Sequence, residues 1–153
     1  MKLRRQEYGF SLIELLIVMA IIGILASVAI VQYAGSTRKA NEAAAVTTLN
    51  SIKMAQAKYS MAHRGRYGTF AQLSQEGLLD KRFRSDSPHL NGYVFTLTLV
   101  DINDKQAALF HLNANPEISG GVAATGNMFY FTEPDSGITL SNSGPATADD
   151  DLL

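Results

Sequence analysis

At 153 residues and a formal net charge of −1, the chain has room for one ordinary domain plus an anchor or tail. It lacks the bulk basic surface of a nucleic-acid-binding protein. Cysteine is absent, which removes disulfides, thiolate catalysis and Cys-ligated zinc or iron–sulfur sites, so any folded part is held by packing alone.

The chain begins with a short basic head, Lys2, Arg4 and Arg5 against Glu7, a charge order that places this end on the cytoplasmic side of a membrane. From Phe10 to Val31 every residue is apolar or small except Glu14. A helix over that run spans roughly 33 Å, enough for a hydrocarbon core of about 30 Å. A secretory signal fits poorly. Its apolar stretch is shorter and its cut follows that stretch, whereas the only plausible processing point here, Gly9, precedes the run. The apolar segment therefore stays with the processed chain.

Glu14 is the anomaly. An acidic side chain at bilayer depth costs about 2.5–3.5 kcal/mol and calls for a partner or a function. Cleavage after Gly9 would free an α-amine on Phe10, cationic near neutral pH. Within one chain that amine lies about 6 Å along the helix axis from Glu14; between staggered chains the two could meet directly. A carboxylate hydrated at interface depth is the alternative that spacing leaves open.

The stretch "GFSLIELLIVMAIIGILASVAI" resembles the N-terminal signature of the type IV pilin superfamily. The resemblance implies a prepilin. A membrane peptidase would cut between Gly9 and Phe10, Phe10 would be N-methylated, and Glu14 would neutralise the Phe10 amine of a neighbouring subunit during assembly. Partners implied are further copies in a helical filament, the prepilin peptidase, an inner-membrane assembly platform and the membrane itself. The implied location is the bacterial inner membrane before assembly and a surface or periplasmic filament afterwards, with the head on the non-cytoplasmic side. One departure stands out. Family members often carry Pro where this chain has Val31, so helix weakness would rest on Gly23 instead.

After Tyr33 the chain turns polar without a strong breaker. Ala45, Leu49, Ile52, Ala55, Gln56, Tyr59 and Ala62 recur at three- and four-residue steps and predict one stripe packed on a core. Lys39, Asn50, Lys53 and Lys58 fall on the opposite side. One helix from about Ser11 to about Ala62 follows, roughly 80 Å long, ended by the glycines of "HRGRYG". The expected divisions are a leader over 1–9, an assembly and transmembrane helix over 10–33, its amphipathic continuation over 34–64, and a head over 65–153.

In the head, Thr69 and Gln72 form a capping-box pattern ahead of a short helix that Gly77 ends. The period then changes to two. "YVFTLTLVD", "AALFHLNAN", "NMFYFTEP" and "SGITLSNSG" predict strands, with "DINDK" and "NPEISGGVAATG" as hairpin links. The fold class expected is α+β, a long helix packed on a small antiparallel sheet of three to four strands.

No catalytic constellation is visible: His63, His89 and His111 are scattered, and no nucleotide loop or metal motif occurs. Asp149, Asp150 and Asp151, with Asp135, are weak calcium candidates, since carboxylate-rich loops bind Ca²⁺ only when six to eight oxygens converge; a solvated acidic tail is the plainer reading. Arg64, Arg66, Lys81, Arg82 and Arg84 form a modest basic region suited to solvation, DNA or a neighbouring subunit. The expected function is a structural, non-enzymatic subunit of a pilus-like filament. A major pseudopilin of a type II secretion system and a single-span anchored binding module are the alternatives.

Overall fold

The computed structural model describes residues 9–100 and 108–153. The basic leader and the "DINDK" link lie outside the described residues. The chain divides into two units, residues 1–35 and residues 36–153.

Helix α1 runs Leu12–Ala62 without interruption through Gly23, Val31 and Gly35. From Leu12 to Tyr33 its side chains are exposed, among them Leu12, Ile17, Ile24 and Val31. This segment is long and apolar enough to cross a membrane. A helix suits that medium because its backbone groups bond within the segment. The one hydroxyl well inside the run, Ser27, is also satisfied, donating to Ile24 O at 2.7 Å.

In the second unit the helix shows the expected stripe. Ala45, Leu49, Ile52, Ala55, Gln56 and Tyr59 are buried. Ala62 is exposed, because it lies in the last turn, beyond the residues that pack. Lys53 also departs from expectation: it is half-buried and its Nζ donates to Ser136 O at 2.6 Å, so a long side chain that reads as solvated ties α1 to the sheet. The helix closes where Arg64 (φ 56°) and Gly65 (φ 80°) turn left-handed and Gly65 N–H reaches Ser60 O. This is glycine's usual way of ending a helix.

Helix α2, Phe70–Gln75, starts from a complete capping box. Thr69 N–H donates to Gln72 Oε1 at 2.8 Å and Gln72 N–H to Thr69 Oγ1 at 3.3 Å. Gly77 (φ 72°) ends it. A 3₁₀ turn, Lys81–Phe83, follows, capped by Asp80. The Arg82 N–H bonded to the Asp80 carboxylate holds that group below the ordinary aspartate range, helped by the Arg82 side chain.

The sheet has six strands rather than three or four: β1 His89–Leu90, β2 Tyr93–Val100, β3 Leu109–Pro116, β4 Phe129–Thr132, β5 Ile138–Ser141 and β6 Asp151–Leu152. Their spatial order is their chain order, with every neighbour antiparallel. The four central strands are the expected ones. The two extra strands are short edge pieces. β1 is joined to β2 by Asn91-Gly92, both at positive φ, the two-residue hairpin that Asn-Gly favours. β6 lies in what reads as an acidic tail.

One face of the sheet meets the helix stripe. Tyr93, Phe95, Phe110, Leu112, Ala114, Tyr130 and Ile138 join Ala45, Leu49, Ile52, Phe70, Phe83 and Leu90 in one core. A smaller cluster of Ala55, Tyr59 and Leu73 seats α2. The β3–β4 link is anchored from α1: Asn41 Nδ2 donates to Thr125 O at 2.8 Å and Asn127 N–H donates to Glu42 Oε1 at 2.9 Å.

Candidate assembly and processing site

Gly9, Phe10 and Ser11 precede α1 in extended or irregular backbone. Phe10 is 90% exposed, so nothing in the described chain covers the bond between Gly9 and Phe10. A protease needs such open, non-helical backbone at its cleavage point.

Glu14 occupies the first turn of α1, where the unpaired N–H groups of the helix start favour a negative charge. Its Oε2 accepts a hydrogen bond from Ser11 N–H at 2.9 Å. In the single chain, then, the carboxylate reaches back along its own helix to the residue after Phe10. Sequence spacing identifies the axial proximity of Glu14 to Phe10 but not this cap. The signal was present all the same, as Ser11 and Glu14 stand three apart at a helix start.

Gly23 lies mid-helix with nothing within 4 Å of where a Cβ would sit. Its lack of a side chain therefore serves no close approach within one chain.

The weak calcium candidates do not converge. Asp135 lies between β4 and β5, whereas Asp151 is in β6. Asp150 Oδ2 is occupied by Thr147 N–H at 2.7 Å and Thr147 Oγ1 at 2.9 Å. Among the described residues no group of three or more His, Asp or Glu side chains is placed to hold a metal ion.

Each histidine meets a glutamate. His63 Nε2 lies 3.2 Å from Glu76, His89 Nδ1 2.9 Å from Glu117 and His111 Nδ1 3.8 Å from Glu133. His63 also stacks on Tyr59 with ring centroids 3.8 Å apart. These pairs join separate segments of the head, a structural use of the imidazoles. Of the five residues in the basic region, Arg82 is paired, to Asp80 at 3.2 Å; the other four make no ion pair among the described residues.

Residues 4–30 match the family model described as the prokaryotic N-terminal methylation motif. The chain is 36% identical over 126 residues to the fimbrial protein EcpB of Eikenella corrodens, covering 76% of this chain and 77% of that one. The chain belongs to the type IV pilin superfamily. A fimbrial protein of Pseudomonas aeruginosa is 47% identical over 51 residues, a third of each chain. The type IV major pilin protein PilA of Myxococcus xanthus is 41% identical over 63 residues, covering 41% of this pilin and 28% of that relative. No solved structure matches the chain. The methylation motif and the fimbrial and major-pilin relatives support a pilus subunit, and they do not favour the secretion-pseudopilin alternative.

Proposed function

We propose that this pilin is made as a membrane-anchored precursor, cut between Gly9 and Phe10 by prepilin peptidase, N-methylated on Phe10, and assembled into a surface filament from an inner-membrane platform. The observation that carries the proposal is the first turn of α1. An exposed Phe10 follows the candidate cut, and a carboxylate four residues later already reaches back towards it.

Before cleavage Phe10 N is an amide and carries no charge. Afterwards it is a cationic amine, and Glu14 faces it from within its own chain or from a neighbour. Leaving lipid exposes the apolar face of residues 10–33 unless the same surface is reburied against other copies, at about 25 cal/mol per Å² of apolar area. The paired charges then offset part of the cost of burial, because an unpaired carboxylate in an apolar bundle is strongly disfavoured. Glu14 thus acts as an assembly register, and Gly23 is the place where the helix yields.

Filaments sheared from cells making the wild-type chain and Glu14→Ala test this. The expected result is filaments containing the chain in the wild type, with Phe10 as their N-terminal residue by mass spectrometry, and at least a tenfold loss in the variant. Undiminished filaments in Glu14→Ala would overturn the assembly role. A wild-type chain that never enters filaments would leave the anchored binding module as the better reading.

A further inference from the structure

β2 has eight residues, but β1 pairs only with its first two, His89 with Val94 and Leu90 with Tyr93. Beyond them Phe95 N–H donates to Pro88 O at 3.0 Å. In an antiparallel ladder the N–H and C=O of one residue point the same way and alternate along the strand. Leu97 and Leu99 therefore direct their backbone groups to the side that β1 vacates. Among the described residues no further backbone hydrogen bond reaches them there. Such an edge is a template for another strand.

Beside it lies a cleft of about 740 Å³ whose lining includes Tyr59, Arg64, Arg66, Tyr67 and Leu99. Both arginines are exposed and make no ion pair among the described residues. At the far edge of the same sheet, β6 shows the complement. Leu153 N–H donates to Ile138 O at 2.8 Å, so alternation turns the backbone groups of Leu152 away from β5. Leu152 is 70% exposed, and Asp149 and Asp151 are exposed without ion pairs among the described residues.

We infer that the open edge of β2 and its arginine-lined cleft receive the acidic β6 edge of a second copy of this chain. Leu152 extends the sheet by pairing with the backbone of Leu99, the β2 residue that lines the cleft. Asp149 and Asp151 meet Arg64 and Arg66, and exposed leucine is covered against the cleft. The two surfaces differ, so the contact is head-to-tail and propagates instead of closing into a dimer. This gives the heads a contact of their own in the filament, separate from helix packing, and it rests on the pilus-subunit reading.

The absence of cysteine makes the test clean. Filaments carrying Leu99→Cys and Leu152→Cys in one chain, mildly oxidised after shearing, should run as a ladder of dimers and higher species without reductant. Either substitution alone should give monomer, and co-assembly of the two single variants should give dimers only. Filaments of the double variant that run as monomer would overturn the inference, as would cross-linking by Leu99→Cys alone, which signals β2 meeting β2. Charge exchange gives a second readout should the cysteine variant not assemble. Arg64→Glu with Arg66→Glu should cut filament yield at least fivefold, and adding Asp149→Arg with Asp151→Arg should restore most of it. No loss, or loss without rescue, would sink the contact. Failure of the wild type itself to enter filaments would instead count against the pilus reading, so the two failures are distinct.

Discussion

Gln56 sits in a helix stripe that is otherwise apolar and is fully buried. Its amide explains why a polar residue is tolerated there. Nε2 donates to Gly68 O at 2.7 Å while Oε1 accepts from Gly68 N–H at 2.9 Å, so one side chain satisfies both backbone groups of a residue in the α1–α2 loop. A Cβ on Gly68 would lie 3.0 Å from the Tyr59 ring, which would have to shift by a few tenths of an ångström to admit it. Gln56→Leu keeps the volume but strands two buried backbone groups. A loss of about 2–4 kcal/mol follows, seen as a thermal midpoint lower by roughly 10 °C when the head is followed by circular dichroism.

Tyr93 and Tyr130 make a second prediction at this scale. Their rings lie 6.0 Å apart in the core, and Tyr93 donates its hydroxyl to Met128 O at 2.9 Å. Burial raises both phenols: Tyr130 is pushed up to about 12, with Glu42 adding to the effect, and Tyr93 goes higher, with Tyr130 and Glu42 contributing. An unfolded tyrosine ionises near 10. The folded state therefore holds protons that the unfolded state releases, and stability is intact below about pH 10 and falls as pH rises towards 12. Urea titrations between pH 9 and 12 should show that decline. Tyr130→Phe should flatten it by on the order of 2 kcal/mol across the window; an unchanged slope would place the sensitivity elsewhere.

At the scale of the element, α1 carries two kinds of helix surface in one continuous run. Up to Tyr33 its large apolar side chains face outwards, whereas from Ala45 to Tyr59 a stripe is buried. Gly23 is the softest point of the first stretch, since glycine costs about 0.8–1 kcal/mol relative to alanine in a helix interior. No neighbour opposes an added Cβ. Gly23→Ala in detergent micelles should slow amide exchange around that residue by about fourfold, and an unchanged rate would show that fraying there does not govern opening. The helix and the central strands were legible because period and length carry them: strict alternation in Tyr93–Val100 and a 3.6-residue stripe from Ala45 to Tyr59. Three features escaped for physical reasons. β1 and β6 have two residues each, too few to show a period, although Asn91-Gly92 before "YVF" was a usable hairpin signal. Lys53 reads as solvent-facing by type, and only the position of Ser136 in the fold gives it a partner. At the candidate processing site, the order of Gly9, Phe10 and Glu14 raised the expectation of a cut and a charge pair, whereas the Ser11 cap on Glu14 required backbone geometry.

For the whole molecule, the division of labour between the two units determines what survives their separation. Every buried apolar residue of the core lies at or beyond Ala45, and the exposed large apolar residues are concentrated between Phe10 and Tyr33. Removing residues 1–35 therefore takes away no core side chain among the described residues. What the cut does remove is the surface that demands lipid or other copies. A fragment beginning at Ser36 should express as a soluble protein, because the exposed apolar band leaves with the first unit. The new helix end loses the four N–H groups that preceding turns would have bonded, so fraying over the first turn is expected. That fraying stops short of Asn41 and Glu42, which anchor the β3–β4 link. The melting midpoint of the fragment should then lie within about 5 °C of the head transition in the detergent-solubilised chain, with the same alkaline decline from Tyr93 and Tyr130. A fragment that aggregates or melts without cooperativity would mean that the first unit stabilises the head as well as anchoring it.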